Sequence, residues 1–164
     1  MVRRGELIRV GRGLYAHPDA DMSAERSLVE AARLAPNGVV CLLSALHFHD
    51  LTTQAPSEVW LAVENKAWRP RSITTALRLA YMSGRAFTSG VETHRIESVP
   101  VRIFNAAKTV AHCFKFRNKI GVDVAVEALR DYLRRNRRGA DELWHYAKIC
   151  RLTRVIRPYL EAMS

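Results

Sequence analysis

The sequence predicts an α+β fold: an N-terminal basic β-hairpin, a small central sheet packed with helices, and a helical C-terminal region. Three observations carry this. Between residues 58 and 104, β-branched and aromatic residues gather in short runs separated by turn formers, the pattern of strands. After Phe104 the apolar residues recur every three or four positions, the pattern of amphipathic helices. The layout is hairpin, helices, sheet, helices, an α+β arrangement. The 164 residues suit one domain, taken as 19–164, with residues 1–18 as a small appendage.

In chain order, Leu7-Ile8-Arg9-Val10 reads as a strand, Gly11-Arg12-Gly13 as a turn and Leu14-Tyr15-Ala16 as the returning strand, closed by Pro18. Ser23 is a suitable N-cap for a helix to about Ala35 with Leu28, Ala31, Ala32 and Ala35 on its apolar face, stopped by Pro36-Asn37-Gly38. Val39 to His49 is apolar almost all round and predicts a buried helix. Leu51 to Pro56 is a loop. About four strands follow: 58–63, 77–82, 91–96 and 99–104, the last two joined by a tight turn at Glu97-Ser98. Phe87 anchors the segment from Gly84 to Gly90. Asn105 should cap a helix containing Ala107, Val110, Ala111 and Phe114, and Gly121 separates it from the next. There Val122, Ala125, Val126, Leu129 and Leu133 form the expected apolar stripe, and Arg130, Arg134 and Arg138 share the polar side. Asp141 is read as the cap of a further helix, and Pro158 as a break before the last turn.

The net charge is +10, and it is concentrated. Residues 1–12 carry a net +3, from Arg3, Arg4, Arg9 and Arg12 against Glu6. Residues 115–138 carry a net +5, with Lys115, Arg117, Lys119, Arg130 and Arg134 among the cations. Two basic segments in an otherwise balanced chain are the footprint of a phosphate-binding surface, so nucleic acid, most simply duplex DNA, is the expected partner. Binding rather than catalysis is the expected mode of action. The longest apolar run, Val39 to Leu46, is too short to span a bilayer, and the first residues lack a signal peptide's apolar stretch. No membrane partner and a cytoplasmic location are expected. Cys41, Cys113 and Cys150 are odd in number, far apart and set among apolar residues, so they read as core residues rather than disulfides or zinc ligands. No cofactor and no metal are expected.

Four small constellations could carry chemistry. His47 and His49 stand two apart, which on a helix points them in different directions and disfavours a shared ion. Asp50, Glu64 and Lys66 have the D…ExK spacing of metal-dependent nucleases, where two carboxylates hold Mg²⁺ and a lysine steadies the attacking water; this is the enzymatic alternative, on a pattern short enough to arise by chance. Cys113 beside His112 suggests a thiol nucleophile, yet helix neighbours do not face one another, so a structural role is preferred. Trp68 among Lys66, Arg69 and Arg71 could stack a base, although a hydrophobic lid on the sheet is preferred. Ser44, the polar group of the buried helix, is expected to bond back to its own backbone.

Three stretches together resemble one family, the AbiEi-type antitoxins, transcriptional regulators of abortive-infection toxin–antitoxin systems. They are residues 4–15 (Arg-Gly-Glu-Leu-Ile-Arg-Val-Gly-Arg-Gly-Leu-Tyr), residues 41–53 running on to Pro56 and to Val59-Trp60-Leu61-Ala62, and Ala107-Lys108-Thr109-Val110 running through Arg117-Asn118-Lys119-Ile120-Gly121 to Ala128-Leu129-Arg130. The resemblance implies that residues 1–18 are the wing of a winged helix-turn-helix, reduced to that wing, and that 19–164 form the antitoxin domain. It further implies operator binding and the counteraction of a nucleotidyltransferase-like toxin. The helices that would precede such a wing fall outside the sequence, so the hairpin is expected to grip phosphate rather than read bases. His112 departs from the family, where an acidic residue is expected. Besides the enzyme, a pure protein-interaction module that meets only the toxin is the remaining alternative.

Overall fold

The computed structural model describes residues 20–66, 68 and 76–163. The N-terminal hairpin, with Arg3, Arg4, Arg9 and Arg12, lies outside them. The described chain is α+β, a five-stranded mixed sheet with helices on both faces.

Helix α1 (Ala20–Leu34) contains Ser23 within it, so Ser23 is not its cap. Val39 and Val40 form strand β1, and only Leu42–Phe48 is helical, as α2. The expected single buried helix is thus corrected to a strand and a helix. Two β-branched residues are too few to show a period, and their conformation is set by pairing on both sides. β1 lies antiparallel to β2 (Val59–Val63) and parallel to β5 (Val99–Phe104). β3 (Leu77–Tyr81) pairs parallel to β2, and β4 (Val91–Ile96) pairs antiparallel to β5. The order is β3-β2-β1-β5-β4, one strand more than the sequence predicted. The β4–β5 hairpin turns at Glu97 and Ser98, both at positive φ, as a tight hairpin turn requires.

All five residues of β2 are buried, because both faces of the sheet are covered. Val59, Leu61 and Val63 join a core closed by Leu28, Val29 and Ala31 of α1. Trp60 and Ala62 join a larger core on the opposite face. That core is built on α4 (Ala106–Lys115), with α6 (Val122–Arg135), α7 (Gly139–Ile149) and α8 (Thr153–Met163) packed round it. Two short helices complete the fold: α3 (Arg85–Thr88), whose Phe87 is buried as expected, and α5 (Arg117–Ile120).

Asn105 caps α4, its side chain accepting the Lys108 N–H at 2.8 Å. Gly121, at φ +98°, separates α5 from α6. On α6 the buried face is Val124, Ala125, Ala128, Leu129 and Tyr132, rotated from the predicted stripe, and Val122 is left exposed. Tyr132 turns inward because Gly139 makes room: a Cβ there would stand 2.6 Å from the ring. Arg138 is past the end of α6 and precedes α7, so it does not share a face with Arg130 and Arg134. Asp141 sits inside the first turn of α7 and is not its cap. Pro158 lies within α8, which continues through it to Met163. Helices α2 and α7 end in paired closing bonds, Leu51 N to Leu46 O with Asp50 N to His47 O, and Leu152 N to Ala147 O with Arg151 N to Lys148 O. Asp50 and Arg151 take the left-handed position usually given to glycine.

Ser44 does not bond back to its own helix. Its Oγ accepts the Trp60 N–H at 2.9 Å and so fastens α2 to β2. Ser44→Ala strands that buried donor and should cost ~1–3 kcal/mol of unfolding free energy, measured by urea denaturation. A change below a few tenths would show that the bond contributes nothing net.

Candidate nucleic-acid interface

The basic segment 115–138 begins where α4 leaves the core. Residues Ala107 to Phe114 are all buried, and Lys115 is the first exposed side chain. The half-buried Arg117 folds back, donating from Nη1 to the Phe114 carbonyl at 2.7 Å, at the electronegative end of α4. Lys119 is exposed on α5, and Arg130 and Arg134 are exposed on α6. Of these five, only Arg134 is in an ion pair among the described residues, with Asp131 at 3.2 Å. Lys115, Arg117 and Lys119 follow one another where α4 ends and α5 follows, whereas Arg134 lies in the last turn of α6, at its opposite end. Arg117 and Arg130 are brought together at one groove, which Lys115, Lys119 and Arg134 do not line.

Arg135, counted in the same charged segment, is committed elsewhere. Its guanidinium donates to the Asp50 carbonyl at 2.6 Å and to the His49 carbonyl at 3.3 Å, tying α6 to the end of α2.

Asp50, Glu64 and Lys66 do not converge. β2 runs antiparallel to β1, so Glu64 leaves the sheet where β1 begins. His49 bonds through Nε2 to the carbonyl of Phe104, the last residue of the parallel strand β5, so Asp50 stands where β1 stops. All three side chains are exposed. His49 is occupied with Phe104 and with the Phe48 ring; burial, above all, lowers its pKa. Among the described residues no three His, Cys, Asp or Glu side chains form a group able to hold a metal ion. Cys41, Cys113 and Cys150 are buried free thiols, and burial raises the pKa of each. Trp68 is half-buried against the core under α1, in the position of a lid. Arg69 and Arg71 lie outside the described residues. No described helix is long and apolar enough to cross a membrane.

Lys108 and His112 form a buried pair on α4, of which the sequence pattern singles out only His112, as the neighbour of Cys113. Lys108 is fully buried, donates from Nζ to the Ser89 carbonyl and, at 3.0 Å, to Ser89 Oγ, and lies over the Phe104 ring at 4.4 Å. It makes no ion pair among the described residues, and burial lowers its pKa to about 8. One turn on, His112 is buried with Nδ1 unpartnered, its pKa pushed down to about 3 by burial and then by the charges of Lys108 and Lys115. The available signal was crowding. From Ala106 to Phe114 the polar residues Lys108, Thr109 and His112 are spread round a helix otherwise made of core residues, so some had to point inward.

No family model and no curated protein matches the chain.

Lys108 has a definite pH signature. Its folded pKa is lowered, so between about 8 and 10.5 the unfolded chain binds the extra proton and stability rises with pH. The difference in unfolding free energy, wild type minus Lys108→Met, should therefore climb across that window and be flat just below it. The thiols and Tyr132 are common to both proteins and largely cancel. A flat difference up to pH 10.5 would show an unshifted lysine.

Proposed function

We propose that this protein acts by binding, as an antitoxin and transcriptional regulator of the abortive-infection type. In this reading it counteracts a nucleotidyltransferase-like toxin and holds nucleic acid through basic surfaces. The observation that supports it best is the set of exposed cations at the end of α4, on α5 and on α6, largely without acidic partners among the described residues. Fixed cations on rigid helices gain most from displacing the counterions of a polyanion. The resemblance adds support. Its second stretch supplies α2 and β2, its third α4, α5 and part of α6, and α4 packs against both α2 and α6 in one core. The N-terminal arginines would add a second phosphate contact.

Two measurements test the two halves. Binding of a 20-base-pair duplex, followed by anisotropy across a salt series, should weaken steeply with salt. A Lys115→Ala, Lys119→Ala, Arg134→Ala triple variant should bind more weakly, with a slope shallower by about 0.9 per lost phosphate contact. Arg9→Ala with Arg12→Ala should act similarly. Salt-insensitive binding, or slopes unchanged in both variants, rejects the phosphate role. Co-expression with the product of the adjacent gene should restore growth arrested by that product, and continued arrest rejects the antitoxin role.

A further inference from the structure

We infer that the groove between α6 and α8 docks an acidic, amphipathic helical segment of a partner protein. Both helices pack on α4, and between them they leave a groove of about 680 Å³. Its apolar lining includes Val126 from α6 and Val155, Tyr159 and Met163 from α8. Tyr159 rests on Phe114 of α4 at 4.8 Å between ring centroids, so the lining is backed by the main core. Met163 can adapt to whatever is bound.

The apolar lining does not end at the groove. Val122, 45% exposed, is the one exposed large hydrophobic among the described residues, and it lies one turn before Val126 on the same side of α6. Neither valine belongs to the buried face of α6. From Val122 to Arg130 is about 12 Å along a helix, two turns, which suits anchors spaced i, i+4, i+7.

Charge selects the occupant. Arg130, exposed and in no ion pair among the described residues, lines this apolar groove, and Arg117, held to the Phe114 carbonyl, adds its positive charge there. A segment with an aliphatic stripe flanked by carboxylates satisfies both features. Nucleic acid would satisfy the arginines but offers no aliphatic surface to bury. The first twelve residues of this chain carry a net +3 and would be repelled. A second copy would set the same arginines against one another. The inference does not rest on nucleic-acid binding, because Lys115, Lys119 and Arg134 remain outside the groove.

The test uses the full chain and a labelled 14-residue peptide, with leucines at i, i+4 and i+7 and flanking glutamates, followed by anisotropy. A same-composition peptide with the leucines dispersed should bind at least tenfold more weakly. Val122→Glu and Arg130→Glu, both at exposed positions, should each weaken the first peptide about tenfold. Replacing its glutamates with lysines should reverse the preference, favouring the Arg130→Glu protein. The Lys115→Ala, Lys119→Ala, Arg134→Ala variant should bind the peptide unchanged, which separates this site from the polyanion surface. Absent binding, equal binding of the dispersed peptide, or displacement of the peptide by duplex DNA overturns the proposal, the last outcome assigning the groove to nucleic acid.

Discussion

Helix α4 is buried on every side from Ala107 to Phe114, and the larger half of the structure is arranged to make that possible. A helix with no solvent face needs neighbours all round, and α2, α6, α7 and α8 supply them. Its polar residues must then be satisfied inside. Thr109 bonds to the Phe104 carbonyl, and Lys108 reaches Ser89. The Asn105 cap holds Tyr146 of α7 at 3.0 Å while closing the first turn of α4. Lys108 is the costly member, since its ammonium is balanced by a serine and aromatic faces rather than by a carboxylate. With His112 one turn away, each positive charge would raise the cost of the other, and burial keeps the imidazole neutral at physiological pH.

The same helix determines where charge reaches solvent. As α4 leaves the core its first free side chain is Lys115, and the chain turns through Arg117 and Lys119 into α6. The arginines then divide by task. Arg135 and Arg102 donate to backbone carbonyls, those of Asp50 and Asn37 among them, and act as ties between elements. Arg130 makes no such bond among the described residues and faces a partly apolar groove. A formal charge of +10 therefore overstates the cations available to a partner, because a guanidinium spent on a helix end is poorly placed to reach a phosphate.

Much of the candidate interface is legible in the sequence. Lys115, Lys119, Arg130 and Arg134 were singled out as surface cations and are exposed, because long charged side chains stay in water unless paired. The spacing of Asp50, Glu64 and Lys66 misled for an equally physical reason. Sequence distance says nothing about which end of a sheet a residue occupies; antiparallel pairing of β1 with β2 sends Glu64 one way and the Phe104 contact of His49 holds Asp50 at the other. Lys108 is not singled out by the sequence and Ser44 is given the wrong partner, because both make long-range contacts, to Ser89 and Trp60, that no local pattern encodes.

By itself the sequence determined the α+β class, the β4–β5 hairpin with its turn, the Asn105 cap, the Gly121 break and the segregation of charge into two segments. These depend on local propensity, capping and composition, which act over a few residues. Tertiary structure decided that Val39 and Val40 are a strand, that α6 buries Tyr132 and leaves Val122 out, and that α8 runs through Pro158. In the first two cases local preference is weak or nearly balanced, and pairing or packing with residues far along the chain supplies the difference; in the third, the packing of α8 on α4 outweighs a proline that by itself favours a break.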